Sequence, residues 1–138
     1  MLQFMAGGKR TNLEHLRKHV SQMNIDEIHY LRNKISSADN HRINYHAEPK
    51  IKAMGLTDED IQTILNNYSI IEYNDHAGRP TVLIQGNKPY KTDRGNKVVI
   101  KLAIDLKEGN IVTAFMNDIN DKHKTANMSI YDKNLKIM

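Results

Sequence analysis

Val98, Ile100, Leu102, Ile104 and Leu106 form an unbroken apolar set at every second position, with Lys101, Ala103 and Asp105 in between. A period of two puts the two sets on opposite sides of a strand, and the unbroken set must face a core. Ser69–Asn74, Thr81–Gln85 and Ile111–Asp118 also read as strands. The turn NDHAGRP joins the first two, a basic loop around Pro89 to Gly95 follows them, and KEGN precedes the last. In that last strand Val112, Ala114 and Met116 are the cleaner apolar set, which leaves Thr113, Phe115 and Asn117 opposite. Together these assignments predict Lys101, Thr113 and Asn117 on one side of a sheet, and a one-residue slip in either strand would undo the grouping.

Helical spacing dominates earlier in the chain. Leu13, Leu16, Val20 and Met23 recur every three or four residues, as do Ile25, Ile28, Leu31 and Ile35. With Asn24 as a break or cap, the pattern predicts two helices over 11–36. A short helix follows His46, with Pro49 tolerated in its first turn and Gly55 ending it. The next helix has Thr57 and Asp60 as a capping pair, Asp58 and Glu59 at its positive end, and Leu56 with Ile61 as a staple. It should run to about residue 66 or 67. The expected fold is therefore α+β, N-terminal helices followed by a four-stranded antiparallel sheet. Residues 1–10 are expected to be a leader, and 11–138 one domain: a helical extension over 11–40 and a core over 44–131.

Composition narrows the function classes. The chain has 138 residues, 39% hydrophobic and 26% charged, ordinary values for one globular domain. No stretch approaches the roughly 18 apolar residues of a membrane span, so no membrane partner is expected. Without cysteine there is no thiolate chemistry or disulfide, and a cytoplasmic location is the default. The net charge of +4 favours polyanionic partners. Lys88, Lys91, Arg94, Lys97 and Lys101 are opposed only by Asp93, and Lys9, Arg10, Arg17 and Lys18 form a second basic cluster. A solvated face is the plainer reading of such runs.

The candidate chemistry gathers around the last strand, where IVTAFMNDINDKHKTANMSIY brings Thr113, Asn117, Asp118, Asp121, His123 and Tyr131 into a short span. Cleaving RNA without metal needs a base for the 2′-hydroxyl, an acid for the leaving 5′-oxygen and positive charge at the phosphorus. Histidine suits the first two roles. His46, before a helix start, is a candidate base, and its alternative is a polar residue bonded to backbone. His123, near two carboxylates, is a candidate acid, and its alternative is a solvated loop residue. Lys101 interrupts an apolar strand, which is costly unless the charge reaches water or an anion; a lysine on a one-sided sheet would do that equally. Thr113 can bond a phosphate oxygen or simply favour the strand. Tyr131 can stack, donate or pack. Arg79 and Arg94 are candidate phosphate ligands in loops.

Metal readings fail. Asp118, Asn120 and Lys122 only begin a calcium-loop pattern, and lysine cannot ligate the ion. His15 and His19 at i and i+4 make half a zinc site with nothing to complete it, so exposed helix histidines are the better reading. No metal or cofactor is expected. Aromatic residues, at 6%, are too few for a multi-base stacking platform of the RRM or OB type.

HAEPKIKAMGLTDEDIQTIL followed by IIEYN, then VVIKLAIDL, then IVTAFMND with a trailing D-x-H, resembles the barnase–EndoU–colicin–RelE (BECR) superfamily of small ribonucleases, as found in phage and bacterial toxins. The resemblance covers about residues 44–131. It implies a metal-independent, toxin-like endoribonuclease with His46, His123, Lys101 and Thr113 catalytic and Arg79, Arg94, Asn117 and Tyr131 binding substrate. The implied partners are RNA and a cognate inhibitor or host protein. The competing expectation is a non-catalytic phage or mobile-element protein that binds a host protein or nucleic acid.

Overall fold

The computed structural model describes residues 15–37, 42–119 and 128–138. Strand β1 (His15–His19) comes first, then helices α1 (Ile25–Ser36), α2 (Glu48–Ala53) and α3 (Asp58–Asn66). Strands β2 (Tyr68–His76), β3 (Arg79–Gly86), β4 (Tyr90–Lys91), β5 (Lys97–Asp105) and β6 (Ile111–Asp118) follow. All strand pairings are antiparallel. The sheet runs β1–β2–β3–β5–β6, and the two residues of β4 pair with the start of β5.

This corrects the expected fold of N-terminal helices followed by a four-stranded sheet. Six strands are present among the described residues, and one of them precedes the first helix. The segment HLRKH, expected to be helical, pairs along its whole length with β2, from His15 opposite His76 to His19 opposite Glu72. Backbone pairing to a distant strand outweighs the local three-to-four spacing of Leu16, Val20 and Met23. Strand β4 was missed because two residues cannot show an alternation. Of the two helices expected over 11–36, only α1 is found among the described residues, and residues 1–14 lie outside them.

Local chemistry explains the helix starts. Asn24 accepts from Glu27 N–H at 2.8 Å while Glu27 accepts from Asn24 N–H at 3.0 Å, a reciprocal cap. Thr57 and Asp60 do the same for α3, at 3.1 and 2.9 Å. The β2–β3 connection is a two-residue turn with positive φ at Ala77 (56°) and Gly78 (79°), the handedness that suits a twisted hairpin.

The three helices cover one side of the sheet. Leu31, Ile35, Ile51, Ile61 and Ile64 meet Val82, Ile84, Ile100, Leu102, Ile104, Ile111 and Ala114 in one core. Helix α3 comes so close to β3 that a Cβ on Gly86 would stand 3.0 Å from Ile64. At the β1 side this face is closed by an ion pair. Lys18 Nζ donates to both Glu27 oxygens at 3.0 and 2.8 Å and to the Leu135 carbonyl at 3.0 Å. Burial pushes the Glu27 pKa up, but the bonds from Lys18 and the Asn24 N–H, with the charge on Lys18, outweigh it, so the group ends below its ordinary value. No helix among the described residues is long and apolar enough to cross a membrane.

Candidate active site

Among the described residues no helix packs on the other side of the sheet, and its side chains line up in cross-strand rows fixed by the pairing. His15, His76 and Arg79 form the first row, and Arg17, Asn74, Thr81 and Asp105 the second. His19, Glu72, Leu83, Ala103 and Thr113 form the third. Gln85, Lys101 and Phe115 form the fourth, and Val99 with Asn117 the fifth. The register thus puts Lys101, Thr113 and Asn117 on one side, as the strand alternation predicts. Two bulges, between Ile70 and Glu72 and between Ala103 and Ile104, keep this grouping across the sheet.

Much of the first three rows, with Phe115, surrounds a hollow of about 590 Å³. Its β1–β2 side is a connected hydrogen-bond chain. Arg17 Nη2 donates to His15 Nδ1 at 3.0 Å, which fixes the His15 proton on Nε2, facing Asn74 Oδ1 at 2.5 Å. Asn74 Nδ2 donates to Glu72 Oε2 at 2.7 Å, and Tyr131 O–H donates to Glu72 Oε1 at 2.6 Å. Arg17 Nη1 also lies 4.0 Å from Glu72 Oε2. Glu72 is only 7% exposed, so these donors are what make its burial tolerable. Burial first, then the bond to Glu72 and its charge, push the Tyr131 phenol up to about 12, against a smaller opposing pull from Arg17. The phenol therefore stays a donor at neutral pH. His76 is exposed, its ring stacked on His15 at 5.1 Å.

The opposite half of the hollow is different. Leu83, Ala103, Val112 and Phe115 give it an apolar floor, bordered by Thr81, Asp105 and Thr113. Phe115 is 41% exposed, and Lys50 Nζ from α2 stands 4.7 Å from its ring centroid.

The expected site residues divide among several places. Thr113 and Arg79 line the hollow, although Arg79 belongs to β3 and not to a loop. Lys101 and Asn117 share the face further along it. Tyr131 reaches the face by its bond to Glu72 and packs edge-on against His19 at 5.1 Å. His46 is exposed in the turn before α2, its ring 3.9 Å from Tyr45, and is not part of the hollow. That turn follows Ile43, which bridges to Ile111 of β6, so His46 and the stacked imidazoles belong to opposite edges of the sheet. Arg94 lies by a separate cavity of about 600 Å³ with Tyr90 and Thr92. His123 and Asp121 lie outside the described residues.

His15 and His19, expected on a helix, are four residues apart on a strand, roughly 13 Å by strand rise. That spacing cannot chelate one ion. Sequence reasoning missed His15, Arg17, Glu72, Asn74 and His76. The signal was present: HLRKH and EYNDH each carry polar groups at every second position, the pattern of a strand with one wet face. No family model, no curated protein and no solved structure matches this chain.

Proposed function

We propose that the open face binds RNA and cleaves its phosphodiester backbone by general acid–base catalysis. The proposal takes the reaction class, and not the fold, from the BECR resemblance. The observation that carries it is the order of groups on β1 and β2. Arg17 and Asn74 form a row with His76 in the row on one side and Glu72 in the row on the other. A phosphate held by Arg17 would have a proton donor on one flank and an acceptor on the other. In-line displacement sets the attacking and leaving oxygens on opposite sides of phosphorus, where an acceptor and a donor on opposite flanks can serve them.

Glu72 takes the 2′-hydroxyl proton as the 2′-oxygen attacks phosphorus. The bond from phosphorus to the 5′-oxygen breaks, and His76 protonates the departing oxygen, leaving a 2′,3′-cyclic phosphate. Arg17 and Arg79 offset the charge that builds on the phosphorane. Tyr131 and Asn74 hold Glu72 in place, and His15 holds the His76 ring by stacking.

Purified protein incubated with single-stranded RNA in EDTA should yield cyclic-phosphate ends. His76→Ala and Glu72→Gln should each lower turnover about 10²–10⁴-fold while the fold is kept. Intact RNA with the unaltered protein would end this reading. Loss of activity in His46→Ala with His76→Ala unaffected would instead place the chemistry at the β6 edge.

A further inference from the structure

We infer that the substrate is a single strand crossing the open face diagonally, with one base stacked on Phe115. This rests on the cleavage reading for its reactive end, but its own support is separate. Phe115 stands two rows and three strands away from Asn74. With about 4.8 Å between strands and 3.3 Å per residue along them, that is roughly 20 Å. One nucleotide cannot cover such a distance, so a ligand touching both ends must be several nucleotides long.

The surface between the ends suits bases better than phosphates. Leu83 and Ala103 lie between the polar row and Phe115, and Val112 borders the same floor. An aromatic ring left 41% exposed beside an apolar floor offers a face for stacking. Positive charge marks both ends, with Arg17 and Arg79 at one and Lys101 and Lys50 at the other. Lys50, 4.7 Å from the ring centroid, orients Phe115 and sits where a following phosphate would pass. Of the acidic groups that line the hollow, Glu72 accepts from Tyr131 and Asn74 and Asp105 accepts from the Lys107 N–H at 2.9 Å, while Glu108 borders the polar end and not the apolar floor by Phe115. A duplex cannot use this surface, because its bases are turned inward and face one another.

Two substrates and one binding probe test the inference. The unaltered protein should cut a single-stranded octanucleotide faster than a dinucleotide. Phe115→Ala should remove that preference by bringing the octanucleotide rate down towards the dinucleotide rate. A 2′-deoxy octanucleotide carrying 2-aminopurine cannot be cleaved and reports stacking directly. It should bind about 5- to 150-fold more weakly to Phe115→Ala. Phe115→Leu, which keeps the bulk but lacks the ring face, should behave like the alanine variant, and Phe115→Trp should restore binding. Equal binding of the probe by the Phe115→Ala variant and the unaltered protein would overturn the inference. So would equal binding of single strand and duplex, or no binding by the unaltered protein. Phe115-dependent binding with no cleavage of RNA would remove the catalytic reading and leave the track standing.

Discussion

On β3 and β5, Val82, Ile84, Leu102 and Ile104 are wholly buried under helices, while the residues that alternate with them, Thr81, Leu83, Lys101, Ala103 and Asp105, face the side on which no described helix packs. The same backbone therefore serves two purposes one residue apart. The covered face needs only apolar character and volume, and many aliphatic combinations would satisfy it. The open face is specified group by group: Glu72 is buried, and each of its oxygens has a named donor. The covered face makes one exception, at the β1 edge, where Lys18 and Glu27 bring charge inside. Lys18, expected to belong to a basic cluster for polyanions, is instead consumed there.

That exception gives the largest expected effect on stability. Lys18→Ala leaves Glu27 buried without its counter-charge and should cost about 3–5 kcal/mol in urea unfolding. Replacing both partners together, as Lys18→Met with Glu27→Leu, should recover most of the loss. Should the single variant cost under 1 kcal/mol, the pair would count as part of the solvated surface. The acid dependence follows the same logic. The folded Glu27 binds its proton less readily than the unfolded chain, whose ordinary value is 4.5. The contribution of the pair is thus present above about that pH and is lost as pH falls through the lowered folded value.

Next comes a test of the two faces on adjacent strands. Leu102→Ala should destabilise by about 2–5 kcal/mol, because the helix-covered core cannot collapse fully into the space. Leu83→Ala, half-buried on the open side, should cost well under half as much. Equal losses, measured by thermal or urea unfolding, would mean that the open face is packed as a second core. The smallest effect concerns the hairpin that aligns both faces. Ala77 has φ 56°, a left-handed conformation that alanine adopts at some cost. Ala77→Asn should therefore stabilise by about 0.5–1 kcal/mol, readable as a raised urea midpoint.

Sequence reasoning located what is local. The Thr57–Asp60 cap, the α3 helix and four of the five strands from Tyr68 to Asp118, all but β4, carry their own signals, within a residue or two at their ends. The buried face of β5 follows from alternation alone. Strand β1 was not legible as such. Among the described residues it is an edge strand of five residues whose inward side carries Lys18, and its partner lies more than fifty residues away. The site shared that fate. Thr113 and Arg79 stand on strands whose presence was predicted, whereas His15 and Arg17 reach the hollow only through β1. Asn74 and His76 occupy β2, but nothing local to that strand identifies what it pairs with.

The segment 128–138 has a consequence beyond holding Glu72. Its Asp132 N–H bonds the Arg17 carbonyl at 2.8 Å, and Leu135 accepts from Lys18 a few residues on. An outermost strand with bare backbone groups invites a stray chain to extend the ladder, the route by which β-proteins clump. Among the described residues β1 is such a strand, and residues 128–138 take up one of its groups, so the segment that steadies the carboxylate also occupies part of the ladder that a stray chain would need.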